Sequence, residues 1–283
     1  MTFFFALLLY NILMLGINSK FCLIFNSGIP SYKSALEALE SILSKKGLKY
    51  VKHDLQDMTD CTCSDYNFVF VIGGDGTILR TAKVFAPFEI PVFGLNIGRL
   101  GFLSQLNQSE IEPAVDKILN NEFKIEKRLM LKTNDMLALN DFVIKGVSGS
   151  RTGRFRLKIN DKFVCEYIAD GMIISTPTGS TAYGLSAGGP VLYPMINALV
   201  VVPICPHTLT ARPLVIPSTE KISIFSIDNN MSFNLAVDGD EAGIFTPVIN
   251  IESSELKAHL ALLYDDFYNV LRSKFHWGVA PEK

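Results

Sequence analysis

Charge is scarce in this 283-residue chain: 19% of residues are Asp, Glu, Lys or Arg, and the net charge is −2. A general nucleic-acid binder carries a basic excess, so that class is excluded and no nucleic-acid partner is expected. No run of like charge, low-complexity tract or internal repeat is present, and 48% hydrophobic residues favour a sizeable core over disorder. Histidine is rare. His53, His207, His259 and His276 stand apart without ligand spacing and read as structural or surface residues. Cysteine is scattered too: Cys61 and Cys63 form a CxC with no second pair to complete a zinc site. Cys22, Cys165 and Cys205 complete the set, which is expected to be reduced and cytosolic, with no metal ligand supplied by the protein. One tryptophan, Trp277, reads with Phe275 as a docking anchor, and Glu110/Glu112 and Asp265/Asp266 as solvated helix faces.

Apolar runs long enough for a bilayer are also lacking. "MTFFFALLLYNILMLG" falls short of the roughly 20 residues a spanning helix needs. It has neither the basic start nor the small-residue cleavage site of a signal peptide. Residues 1–18 therefore read as an apolar leader, untranslated or irrelevant rather than a membrane anchor, with Met14 as an alternative start. A cytoplasmic protein without a stable membrane partner follows.

What is present has two grammars. From "KFCLIF" through "LKYV", "NFVFVI" and "IPVFGLN", apolar strands alternate with helix patterns. Ala35, Leu36, Leu39, Ile42 and Leu43 recur at helical spacing, with Ser31 or Ser34 as cap and Gly47 as terminator. Thr77 to Phe85 forms a second helix pattern, and "SEIEPAVDKIL", capped by Ser109, a third. Near-continuous apolar strands separated by helices imply a doubly wound parallel sheet covered on both faces. After about residue 120 strands follow one another: "KIEKRLMLKT", "MLALNDFVIK", "RFRLKIN", "KFVCEYI" and "GMIIST". Asn160-Asp161 suits a hairpin turn, and "KISIFSI", "MSFNLAV" and "PVINIE" come later, joined by "DNN" and "DGDEAG" turns after a loop-rich stretch. The expected domains are 19–122, α/β, with the helical tail 265–283 packing back on it, and 123–264, all-β, with a ligand cleft between.

Two stretches carry chemistry. Gly73-Gly74-Asp75-Gly76-Thr77 lies where a parallel strand ends and the next helix offers free N–H groups, a phosphate site. Asp75 among the glycines either caps that helix or serves a ligand as base, metal ligand or hydroxyl acceptor. Neither GxGxxG nor GxxxxGK[ST] occurs. In residues 169–191, "ADGMIISTPTGSTAYGLSAGGPV", four hydroxyls at Thr176, Thr178, Ser180 and Thr181 surround Pro177 and Gly179. Such a loop bonds either polar ligand atoms or its own backbone.

"GGDGT", "NIGRLGFL", "NDFVI", "DGMIISTPTGSTAYGLSAGGP" and "PHTLTARPLVIP" follow in this order. Together they closely resemble the ATP-dependent NAD kinases of bacterial type, from about residue 19 to the C-terminus. GGDGT alone is shared with lipid kinases and related to phosphofructokinases, whereas its combination with TPTGSTAY is highly specific. The resemblance implies a phosphofructokinase-like α/β nucleotide-binding domain and a C-terminal β-sandwich that binds NAD. It implies phosphorylation of the adenosine ribose 2′-hydroxyl of NAD by ATP, with polyphosphate as an alternative donor and Mg2+ bridging the phosphates. Asp75 would be the base, Gly73, Gly74 and Thr77 the phosphate loop, and Gly76 and Arg80 part of the NAD site. Phe102 would lie on the adenine or its ribose, Asn140 would bond the adenine, Asp141 a ribose hydroxyl, and Asp170 would meet the nicotinamide end. Thr178 and Thr181 through Ser186 would wrap the dinucleotide, with Ala182 and Tyr183 at the adenine face. Arg151 would reach a phosphate across an oligomer interface, in a homodimer or homotetramer assembled through the β domain. Ile168 stands where many relatives have arginine, leaving NAD and NADH both open, and Asp240 where some have glutamine. A lipid (diacylglycerol-type) kinase and a non-catalytic dinucleotide sensor are the alternatives. Against the first stand TPTGSTAY and Asn140-Asp141, with only the apolar leader in its favour; against the second stands Asp75.

Overall fold

The computed structural model describes residues 15–16, 18–60, 63–96, 101–106, 110–146, 152–227, 232–245, 248–264 and 267–276. It divides into two compact units, residues 1–125 with 260–283, and residues 126–259.

The first unit runs β1 (Lys20–Phe25), α1 (Tyr32–Lys45), β2 (Lys49–Asp54), β3 (Phe68–Ile72), α2 (Asp75–Phe85), β4 (Val92–Leu95), β5 (Ser104–Leu106) and α3 (Ile111–Leu119). Its strands pair in parallel in the order β2-β1-β3-β4-β5. Strand side chains alternate between faces. Phe68, Phe70 and Ile72 join Phe21 and Leu23 in one apolar cluster with Leu36, Leu39 and Leu43 of α1 and Ile111, Val115 and Ile118 of α3. The intervening Val69 and Val71 are equally buried but lie outside that cluster, so β3 reads as an unbroken apolar run. Gly47, at φ +69°, follows α1 as expected. The expected serine caps differ. Ser31 precedes α1 but its side chain makes no capping bond, and Ser109 lies outside the described residues. After β2 the chain forms the 3-10 turns Leu55–Asp60 and Cys63–Asp65 on either side of residues not described.

The chain continues through β6 (Lys124–Thr133), β7 (Met136–Ala138), β8 (Asp141–Gly146), β9 (Gly153–Ile159), β10 (Lys162–Ala169), β11 (Gly171–Ser175), the short α4 (Tyr183–Ser186), β12 (Ala198–Ile204), β13 (Leu214–Pro217), β14 (Ile222–Ser226), β15 (Phe233–Val237), β16 (Asp240–Phe245) and β17 (Val248–Leu262). In the second unit β13-β12-β11-β8-β15-β16 form an antiparallel sheet, and β10-β9-β14-β17 pair antiparallel in another. Phe142, Ile174, Leu199, Val201 and Leu235 of the first sheet share one core with Leu157, Ile222, Ile224 and Ile251 of the second, and Phe155 stacks on Phe233 at 5.6 Å. This is a β-sandwich.

Three expectations need correction. The stretch taken as loop-rich contains β12 and β13, and β12 pairs with β11 inside the six-stranded sheet. "ALVVVPI" shows no alternation because Leu199 and Val201 face the core while Val200 and Val202 pack with Leu192 and Ile173 on the other face. "DGDEAG" is not all turn. Asp238 and Gly239, at φ +51° and +90°, make a two-residue hairpin, and β16 starts at Asp240. "MLALNDFVIK" is two strands, broken at Leu139-Asn140. The Asn160-Asp161 hairpin forms as expected, at φ +49° and +62°.

The chain re-enters the first unit at Leu260, which pairs in parallel with Val92, and ends its described course with α5 (Phe267–Phe275). Among the described residues no helix is long and apolar enough to cross a membrane.

Phe70 has ring neighbours Phe21, Phe68 and Phe93 at 5.1–6.1 Å and is 1% exposed. Phe70→Ala is expected to cost about 3–5 kcal/mol in urea unfolding. Leu209→Ser, at a 93% exposed position, should stay within about 0.5 kcal/mol.

Candidate active site

The expected site residues fall in two segment clusters, one in each unit. In the first, β3 runs into Gly73-Gly74 and α2 starts at Asp75, with Gly74 as its N-cap in extended conformation (φ −86°, ψ −177°). Asp75 does not cap the helix. Its carboxylate turns to the neighbouring loop, where the Phe102 N–H donates to Oδ2 at 2.8 Å and the Leu103 N–H to Oδ1 at 3.2 Å. A carboxylate offers about four acceptor directions, so capacity remains on this partly exposed side chain. Gly101 makes the approach possible: a Cβ there would lie 1.9 Å from Asp75 Oδ1.

The glycines of GGDGT divide by cause. A Cβ on Gly73 would strike Thr77 Oγ1 at 2.5 Å, so packing excludes it. On Gly74 or Gly76 a Cβ would meet nothing within 4 Å, and neither has a positive φ. Among the described residues nothing forces glycine at these two positions, which leaves them open on either side of Asp75 in the chain. Thr77 is buried, and Arg80 is exposed on α2. Phe102 is half-buried, its ring 5.9 Å from Phe275 with Lys274 Nζ 5.8 Å from its centroid. Phe275 is thus an intrachain anchor; Trp277 lies outside the described residues.

In the second unit the break between β7 and β8 adjoins the hydroxyl loop. The Thr176 hydroxyl donates to Leu139 O at 2.6 Å and accepts the Gly179 N–H at 3.0 Å, while Thr176 N–H donates to Asn140 O at 2.9 Å. A Cβ on Gly179 would lie 2.2 Å from Asn140 O. The loop's hydroxyls are largely turned inward. Ser180 Oγ donates to Pro177 O at 2.7 Å and accepts Leu192 N–H, and Thr181 Oγ1 donates to Thr178 O at 3.2 Å. Sequence reasoning missed Arg128, which is buried against Glu126 (2.6 and 2.9 Å) and donates to Thr178 Oγ1 at 3.3 Å. Its signal, a charged residue inside a strand pattern, points to no partner fifty positions away.

Of the other expected residues, Ala182 is partly exposed, Tyr183 is exposed with Lys145 Nζ 5.5 Å from its ring, and Ser186 is exposed. Ile168 is 43% exposed near the end of β10, Asp170 follows that strand half-buried, and Asp240 is exposed at the start of β16. Arg151 lies outside the described residues. A cavity of about 510 Å3 in this unit, lined by Lys132, Asn160, Lys221, Asn250 and Glu252, contains none of these residues, and its two lysines both pair with Glu252. Among the described residues no three His, Cys, Asp or Glu are grouped to hold a metal.

Asp141 is 3% exposed, and its Oδ2 has no hydrogen-bond partner. Burial first, and the charge of Asp238 second, push its carboxyl up from 3.8 to about 7. Between those values the unfolded chain releases this proton while the folded chain keeps it, so the group lowers stability as pH rises, levelling off above about 7. The gain in unfolding free energy from Asp141→Asn should thus be about 2–3 kcal/mol larger at pH 8 than at pH 5. Equal gains at both pH values in urea titrations would contradict this. Thermal melts should also show Gly76→Ala at or above wild-type stability, by up to about 1 kcal/mol. Gly101→Ala should melt lower.

Residues 28–123 match the family model "ATP-NAD kinase N-terminal domain" and residues 139–263 match "ATP-NAD kinase C-terminal domain". An NAD kinase of Caldanaerobacter subterraneus subsp. tengcongensis is 40% identical over 223 residues, 75% of this chain and 79% of the relative. One of a Thermoanaerobacter species is 38% identical over the same shares. An Archaeoglobus fulgidus NAD kinase crystallised with ATP superposes with a TM-score of 0.76 at 23% identity, covering 91% of this chain and 98% of that one. A yeast NADH kinase crystallised with NADH gives 0.78 at 22% identity, covering 93% and 89%. The two crystal structures share the fold, and the two family models together with the curated relatives establish that the chain belongs to the NAD kinase family of phosphotransferases.

Proposed function

We propose that the chain transfers the γ-phosphoryl group of ATP to the 2′-hydroxyl of the adenosine ribose of NAD, giving NADP and ADP. The observation that carries this reading is Asp75, held through both carboxylate oxygens by the Phe102 and Leu103 amides, beside Gly74 and Gly76 positions that the fold leaves open. Phosphoryl transfer asks for a positioned hydroxyl acceptor and room for phosphates more than for covalent chemistry. In the step, the ribose O–H bond breaks and its proton passes to the Asp75 carboxylate. The 2′-oxygen bonds to the γ-phosphorus, and the bond to the bridging oxygen breaks with its electron pair leaving on ADP. Gly73, Gly74 and Thr77 shape the phosphate end, and Gly76, Arg80 and Phe102 line the acceptor.

The nucleoside is assigned to the second unit: Asn140 and Asp141 at the adenine and ribose, Thr178, Thr181, Ala182, Tyr183 and Ser186 around them, and Asp170, Ile168 and Asp240 at the remainder. Arg151 is kept as a phosphate contact. The inward hydroxyls of Ser180 and Thr181 favour contact through the loop's backbone and shape as well as through side chains. Mg2+ is proposed to arrive on the triphosphate of ATP as part of the substrate. A cytoplasmic homo-oligomer is proposed on the family resemblance. The exposed Phe163, Val164 and Ile168 on β10, a sheet edge, support the oligomer. The lipid-kinase and sensor alternatives gain no support from the matched relatives.

Asp75→Asn removes the proton acceptor and turns an NH2 toward one of the Phe102 and Leu103 amides, and kcat is expected to fall by about a hundredfold or more in a protein that stays folded. A variant turning over near the wild-type rate would overturn the role of Asp75. NADP formation, followed with NAD against NADH and with ATP against polyphosphate, fixes the two substrates.

A further inference from the structure

The break between β7 and β8 leaves Leu139 and Asn140 outside any strand ladder, although Leu139 is fully buried. Their backbone groups are nevertheless met on both sides. On the acceptor side, Leu139 O and Asn140 O take the Thr176 hydroxyl and amide, and Ser175 Oγ donates to Asn140 O at 3.3 Å. On the donor side, three successive amides converge on one side chain. The N–H groups of Asn140 and Asp141 donate to Asp238 Oδ1 at 2.7 and 3.1 Å, and that of Leu139 donates to Oδ2 at 3.1 Å. The Asp238 N–H donates in return to Asp141 O at 3.0 Å. Asp238 is the first residue of the two-residue hairpin that leads directly into Asp240.

We propose that Asp238 is a positioning residue for dinucleotide binding: its carboxylate clamps the Leu139–Asp141 backbone and thereby fixes the Asn140 and Asp141 side chains, and with them the Asp240 turn, for the nucleoside. The proposal rests on the reading that Asn140 and Asp141 contact the dinucleotide. Strand pairing cannot hold this segment, because the ladder is interrupted there. A neutral side chain cannot hold it either: three donors need at least two acceptor oxygens, and an amide offers one oxygen with a donating NH2 opposite. In Asp238→Asn at least one buried N–H faces another donor. The backbone of the turn survives that change, since asparagine tolerates a left-handed φ as readily as aspartate. The variant therefore tests the carboxylate and leaves the hairpin in place.

The experiment is steady-state kinetics of Asp238→Asn with NAD and ATP varied in turn, together with a thermal melt and hydrogen exchange at the 139–141 amides. The expected result is a KM for NAD raised by about tenfold or more, with kcat and the KM for ATP within about threefold and faster exchange confined to those amides. A purely architectural role would lower the melting temperature and leave the KM for NAD unchanged below it. A folded variant with a KM for NAD within about twofold of wild type overturns the proposal. Should Asp238→Asn fail to fold, Asp238→Glu keeps the charge and displaces the oxygens by one methylene. A raised KM for NAD is again expected, and an unchanged one is again fatal. Asn140→Ala and Asp141→Asn separate the two levels. If both leave the KM for NAD unchanged, the assignment of these side chains to the dinucleotide fails and the positioning role falls with it. If they raise it while the Asp238 variants do not, only the positioning role fails.

Discussion

The amides of Leu139, Asn140 and Asp141 converge on the Asp238 carboxylate, and the amides of Phe102 and Leu103 converge on that of Asp75. Charge-assisted bonds to consecutive N–H groups are stronger and shorter than neutral ones, and they fix backbone and side chain together. The two carboxylates use this in opposite senses. Asp75 is the group being aimed, with loop amides holding it at the head of α2. Asp238 does the aiming, and the segment it holds carries Asn140 and Asp141. In each unit a side chain takes over bonds that a helix or a strand ladder would otherwise supply.

Both arrangements cost stability. Gly76 occupies a helical position where alanine would fit, and Gly74 adopts a conformation open to any residue. Asp141 is buried with an unpartnered oxygen beside a second carboxylate. Buried polar groups normally find partners, so an exception next to a segment held from two sides is expected where a ligand completes the bonding. The large apolar cores of the two units, Phe21, Phe68, Phe70 and Phe93 in one and the stacked Phe155 and Phe233 in the other, offset these local losses.

The elements were legible in the sequence wherever one face of a helix or a turn residue announced them. Leu36, Leu39 and Leu43 marked α1, and the Asn160-Asp161 pair marked a hairpin that needs two left-handed residues. β12 stayed hidden because both its faces are covered, which removes the alternation that betrays a strand. The break at Leu139-Asn140 stayed hidden because its cause is a carboxylate some hundred positions later. Asp75 was conspicuous as a lone charge among glycines. Its partners were not, since amides carry no residue signature and Gly101 explains itself only once Asp75 Oδ1 is seen against it. Arg128 escaped for the same reason: its tie to Thr178 is tertiary. Motifs displayed the groups offered to a ligand, and only the fold displayed what holds them.

On the proposed reaction the Asp75 carboxylate serves one hydroxyl, the 2′-hydroxyl of the adenosine ribose. The most direct test is to incubate the protein with NAD and ATP labelled at the γ-phosphate and locate the label in the product by phosphorus NMR and selective phosphatase digestion. Label is expected on the adenosine ribose 2′-oxygen alone, as that role of Asp75 requires. Label on another hydroxyl of the dinucleotide, or none transferred by a folded protein that binds both substrates, would contradict it.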